Sequence, residues 1–208
     1  MVVSSGVIRV ALALTTLFSL LAAAAQAGSY DGAALLAFTL PPPGCAVPCW
    51  QHIRPGATPS REAVEQLRAH PWVGRVHTQL SSLNDDGWVT WDWSGAQPDF
   101  SGPGADRLST DYGIVRSLTI RSAITFGDLW LALGAPAWVV QHRGDHAMSL
   151  EAVFPDLALA AWIDWRCGGR ASAIWRAPVT LVWYSWRPQP GTAPGSQAAL
   201  AQCKGANP

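Results

Sequence analysis

An α+β fold of two tandem units, each a helix packed on an antiparallel β-meander, is the architecture this sequence predicts. Three observations lead there. A helix-start pattern recurs, with Thr58 and Thr125 lying 67 residues apart, and Trp72 and Trp138, which open extended chain after each helix, lying 66 apart. Segments of strand-like alternation follow each helix. The 208 residues are 49% hydrophobic and only 13% charged, which suits a packed core and excludes a disordered chain.

Residues 1–27 read as a secretory signal peptide. Arg9 is the only charge before Asp31, Val10 to Ala25 is an uncharged run rich in Leu and Ala, and Ala25-Gln26-Ala27 offers small residues for cleavage. That run is short for a membrane span, and an uncleaved anchor is the rival reading. No stable span is expected once the segment is cleaved before Gly28. Residues 28–52 form an N-terminal segment that holds Cys45 and Cys49. Four cysteines in an exported chain are expected to be oxidised. They allow three pairings, of which the spacing favours Cys45–Cys49 with Cys167–Cys203.

The first unit covers 53–122. Thr58 is read as helix N-cap with Pro59 at the first helical position, and Ala63, Val64 and Leu67 share one helix face. His70-Pro71 ends the helix. Strands are expected over 75–83, 87–93 and 112–121, with a hairpin turn at Asn84-Asp85-Asp86-Gly87. Residues 94–111, rich in Gly, Pro, Ser and Asp, read as one long loop. The second unit covers 123–187. Thr125 and Asp128 form a capping-box pattern, Leu129, Ala132 and Leu133 make the apolar face, and Leu133-Gly134-Ala135-Pro136 ends the helix. Strands are expected over 138–143, 147–154, 157–166 and 179–186. Residues 188–208 read as a Pro/Gly-rich tail.

Thr125 with Leu133-Gly134-Ala135-Pro136, and more weakly Pro55-Gly56-Ala57-Thr58, resemble the small lipoproteins of the outer-membrane β-barrel assembly machinery. Tandem copies of such a unit resemble β-lactamase inhibitor proteins. The opening from Cys45 to Thr58 is also similar to uncharacterised exported proteins of Chloroflexota-type bacteria. The first copy departs from the pattern, with Ala69-His70-Pro71 where Leu-Gly-x-Pro would stand, and no lipid-anchor Cys is present. The resemblance implies the fold over about residues 45–186, and an inhibitor-like role is the functional expectation attached to it.

Fourteen basic and 14 acidic side chains balance, which gives no electrostatic case for nucleic acid. No catalytic motif appears, and no cofactor is expected. His142 and His146 flank a turn with Asp145, but a polar hairpin tip explains them as well as a metal site does, and no metal site is assigned. Arg143-Gly144-Asp145 spells an adhesion tripeptide of a kind that recurs by chance. Twelve tryptophans stand out. They either fill a core or leave an aromatic surface for a protein or an envelope polymer. Trp88, Trp91 and Trp93 are the binding candidates, because alternation sends Trp88 to one face of its strand and Trp91 with Trp93 to the other. The leading expectation is therefore a non-catalytic binding module outside the cytoplasm. An inhibitor of a secreted enzyme and a hydrolase with an unrecognised site are the rivals.

Overall fold

The computed structural model describes residues 6, 10, 12–17, 19–20, 32–102, 106–143, 148–165 and 172–185. The chain divides into Met1–Asp31 and Gly32–Pro208. In the first unit the described residues are helical, and the Thr16 hydroxyl donates to the Leu12 carbonyl at 2.8 Å. No helix among the described residues is long and apolar enough to cross a membrane.

The second unit is built on one eight-stranded antiparallel sheet. Helix α1 (Gly32–Thr39) and α2 (Ser60–Ala69) lead into β1 (Val73–Leu80), β2 (Gly87–Trp93), β3 (Arg107–Asp111) and β4 (Ile114–Thr125). Helix α3 (Phe126–Leu133) then leads into β5 (Trp138–Arg143), β6 (Met148–Phe154), β7 (Leu159–Trp165), a short helix α4 (Ser172–Trp175) and β8 (Pro178–Tyr184). The strand order is β1-β2-β3-β4-β8-β7-β6-β5. Each run of four strands is thus a meander, and the two meet where β4 pairs antiparallel with β8, Leu118 facing Trp183 and Ile120 facing Leu181.

Helix α3 starts where the sequence places it. Thr125 Oγ1 accepts from the Asp128 amide, and the Asp128 carboxylate accepts from the Thr125 amide, so two of the four orphan N–H groups of that end are satisfied reciprocally. Gly134 closes the helix at φ +83°, a conformation that a Cβ would strain. Helix α2 starts differently. Its cap residue is Pro59, whose ring has no hydrogen-bonding atom to offer, and Thr58 Oγ1 instead accepts from the Arg54 amide at 2.8 Å. The hydroxyl tightens the turn that delivers the helix, so Thr58 and Thr125 are not equivalent caps. The apolar face of α2 is as read, with Ala63, Val64 and Leu67 buried against the sheet.

Three elements escaped the sequence reading, one of them the short α4, which buries Ile174. Helix α1 buries Leu35 and Phe38. Strand β3 lies inside what reads as the loop 94–111. It pairs with β2 on one side, Leu108 facing Val89, and with β4 on the other, Leu108 facing Leu118. β1 ends at Leu80 rather than at residue 83, so the hairpin connection spans residues 81–86, longer than the Asn84–Gly87 turn that the sequence suggests, and the first residue of β2 must be glycine. Gly87 sits at φ +145°, with the Gln79 carbonyl oxygen 2.0 Å from where a Cβ would stand. Arg61 of α2 clasps this turn through Asp85 at 2.9 Å.

Thr125→Ala should lower stability by about 1 kcal/mol through loss of the capping box. Urea titration followed by circular dichroism measures it, and an unchanged midpoint would contradict the cap.

Candidate functional site

Alternation divides each strand between two faces, and the two faces of the sheet have opposite fates. One carries Val89 and Trp91, Leu108, Leu118 and Ile120, Leu181 and Trp183, Ala161 and Ile163, and Leu150, all buried. Trp50, from the segment after α1, lies on this face. Its ring stacks on Trp91 at 6.1 Å and meets Trp183 at 6.3 Å, with Phe38 of α1 edge-on at 5.8 Å. The other face carries Trp88, Thr90 and Asp92, Arg107 and Ser109, Ser117, Thr119 and Arg121, Thr180 and Tyr184, Trp162, and Glu151. No helix of this unit covers it among the described residues.

The three tryptophans singled out in β2 therefore have three environments. Trp91 is 2% exposed and belongs to the core. Trp93, on the same side, is half-buried and donates its Nε1–H to Asp106 at 2.7 Å. Trp88 faces out, 50% exposed, with the Arg107 guanidinium 5.8 Å from its ring centroid. That is cation–π distance, and the ring fixes where the guanidinium sits.

The far half of the open face carries a second aromatic group that sequence reasoning did not assemble. The His142 ring stacks on Trp162 at 4.5 Å, and its Nε2 lies 2.8 Å from Glu151. Trp162 Nε1 donates to the Tyr184 hydroxyl at 2.9 Å. Register puts Trp162 opposite Thr180 and Ala160 opposite Val182, so the Trp162–Tyr184 bridge crosses over Ala160 and Val182. That accounts for these two small residues being buried on an otherwise open face. Burial, and after it the neighbouring Glu151 carboxylate, pushes the Tyr184 phenol up to about 12. Tyr184 thus keeps its phenolic proton at physiological pH, and its hydroxyl accepts from Trp162 as a neutral group.

Between these aromatic groups lies a cavity of about 530 Å³ lined by Arg107, Thr119, Arg121, Trp162, Asp164 and Thr180, among others. Its cause is a break in the β4·β8 ladder. From Arg121 to Thr125 the pairing advances four residues on β4 against two on β8, from Thr180 to Pro178. In the gap, the Ser122 hydroxyl donates to the Val179 carbonyl in place of a backbone group. The other edge of β4 is held by the segment before β3, with the Ala123 amide donating to the Phe100 carbonyl and the Gly102 amide to the Arg121 carbonyl.

Asp106 anchors that segment. It is fully buried, and its two oxygens accept from Trp93 Nε1 and from the Arg121 amide, each at 2.7 Å. Burial raises its pKa from 3.8 to about 6, although both hydrogen bonds and the Arg121 charge oppose the rise. The only sequence signal was an acid just after Gly102-Pro103-Gly104-Ala105, and its partners lie 13 and 15 residues away.

Cys45 and Cys49 are bonded to each other. Cys167, Cys203, the 25–28 cleavage region, Gly144 to Ala147, Trp186 and the tail 188–208 lie outside the described residues. His142, read beside a possible metal turn, spends its Nε2 on Glu151. No group of three or more His, Cys, Asp or Glu able to hold a metal occurs among the described residues. No known protein family, curated protein or solved structure matches the chain.

Asp106 makes stability depend on pH. Its folded pKa lies above the unfolded one, so between about pH 4 and 6 the folded state holds a proton that the unfolded chain has released. Stability should therefore fall as pH rises through this window, by at most about 3 kcal/mol, and level off above it. Asp106→Asn should flatten this dependence while lowering stability throughout, because its amide NH2 would meet one of two existing donors. Urea midpoints of both proteins measured across the window are the check.

Proposed function

We propose that the chain is an exported, non-catalytic binding module that recognises a partner protein through the open face of its sheet. The observation that carries this reading is Trp88, a half-exposed indole with Arg107 held against it, on a face that no described element of this unit covers. Tryptophan, tyrosine and arginine are the side chains that most often supply binding energy at protein interfaces, because they bring large contact area with few rotamers to freeze. Trp88, Trp162, Tyr184, Arg107 and Arg121 lie together on this face. Sheet faces in a folded chain are normally covered, or else made of short polar side chains, so large aromatic rings at this position favour a contact surface.

Two further parts of the proposal have separate support. The two helix-plus-meander halves are copies of one unit, a reading supported by the matching order of elements and by the strand order, which runs inward from each edge to β4 and β8. With it stands the resemblance to tandem inhibitor proteins, which makes a secreted enzyme one class of partner. Export is supported by the apolar run before residue 27 and by the Cys45–Cys49 bond, which is compatible with an oxidising compartment.

The test is capture. Immobilised protein exposed to the medium and envelope fraction of the native host should retain a partner, and Trp88→Ala should lose it with little change in melting temperature. Trp175→Ala removes a ring that is 46% exposed and packs against Phe126 and Trp130 instead, so it should leave capture intact. By contrast, Trp183→Ala should cost about 3–5 kcal/mol, as for any large ring removed from a core. Capture that is indifferent to Trp88 would defeat the reading.

A further inference from the structure

We infer that the cavity at the β4·β8 break receives a carboxylate, carried by an acidic side chain of the partner protein; this rests on the docking reading above and names the chemistry of one contact within it. The first argument is charge. Arg107 and Arg121 both line the cavity, both are exposed, and neither makes an ion pair with any described residue. Among the described arginines, two find acids, Arg61 with Asp85 at 2.9 Å and Arg116 with Asp111 at 2.7 Å. The one carboxylate in the cavity wall, Asp164, lies on β7 while Arg107 lies on β3. Three inter-strand spacings separate them, roughly 14 Å. Asp106, on the arginine side, is buried with both oxygens already bonded.

The second argument is preorganisation. The Trp88 ring under Arg107 places one planar fork at the cavity before any partner arrives, and strand pairing sets Arg121 beside Thr180 in the same wall. A guanidinium fork matches the two oxygens of a carboxylate, and Thr119 and Thr180 place hydroxyls within the same wall. Trp162 supplies an apolar side against which the methylene stem of a glutamate can lie. The lining carries two positive charges and one negative, which suits a single carboxylate better than a doubly charged phosphate.

A fluorescently labelled glutamate-rich peptide, read by anisotropy on the full chain, tests the inference against a glutamine peptide of equal length, free glutarate and inorganic phosphate. The glutamate peptide should bind in preference to all three. Arg107→Ala and Arg121→Ala should each weaken it about tenfold, the scale of one charge-assisted pair, with the folded state retained by circular dichroism. Arg121→Lys should restore only part of the loss, since a point charge cannot replace the fork. Trp88→Ala should weaken binding less than Arg107→Ala does, because the guanidinium remains but is no longer oriented. Equal binding of glutamate and glutamine peptides, or indifference to both arginines, overturns the inference. Glutarate binding as tightly as the peptide overturns the protein source in favour of a free acid, and tighter binding of phosphate overturns the carboxylate. Partner capture that survives both arginine variants but is lost with Trp88→Ala overturns this site while leaving the docking reading in place.

Discussion

Burial of the Trp50 ring is the constraint from which the rest of the molecule follows. It touches Phe38 of α1, His70 at the end of α2, Trp91 of β2 and Trp183 of β8, and so ties the N-terminal helices to strands from both ends of the chain. A layer this large can sit on only one side of a sheet. Once Trp91 and Trp183 are committed to it, the period of two sends Trp88 and Tyr184 to the opposite side. The exposure of the candidate surface is thus a consequence of the core. The layer has its own cost: the indole Nε1 groups of Trp50, Trp91 and Trp183 are buried without hydrogen-bond partners among the described residues. His70 is adapted to this setting. Burial first, and then the neighbouring His52, lowers its pKa, and its Nδ1 accepts from the Trp72 amide, which requires the unprotonated nitrogen.

What could be read from the sequence was what local chemistry determines. The capping box at Thr125 is complete within four residues and was recognisable. So was the alternation in β2 that separates Trp88 from Trp91. Thr58 was misread because the same hydroxyl can cap a helix or tighten the preceding turn, and the choice depends on where Arg54 lies. Strand β3 is short, and Arg107-Leu108-Ser109-Thr110-Asp111 has a single large apolar residue. It becomes a strand because β2 and β4 both offer free edges, which no window around it reveals. Helix α1 is small and apolar all round, without the one-sided pattern that marks a surface helix.

The candidate site was legible only in part, for the same reason. Trp88 could be named from its strand alone. Arg121 and Thr180 are 59 positions apart and become neighbours only because β4 pairs with β8. Trp162 and Tyr184 are likewise brought together by the β7·β8 pairing, and Asp106 has meaning only beside Trp93 and the Arg121 amide. The buried acid beneath the surface, the broken ladder and Arg107 and Arg121 above it form one construction. Asp106 holds the segment before β3 against β4, and that strand then carries Arg121 on its open side.

The pairing of β4 with β8 also determines what a shortened chain would do. A fragment ending at Thr125 would keep its own meander and its own helix, yet its last strand, twelve residues long, would have nothing on the side that β8 occupies. A long unpaired edge of alternating apolar residues is a template for another backbone, and the nearest suitable backbone is the same edge of a second fragment. Because the native pairing there is antiparallel, two identical fragments could join β4 to β4 about a two-fold axis and form an eight-stranded sheet again. Solubility of the intact chain therefore depends on β8 reaching β4 before another molecule does. β8 follows β5, β6 and β7 in the chain, so this edge stands open while those strands are made.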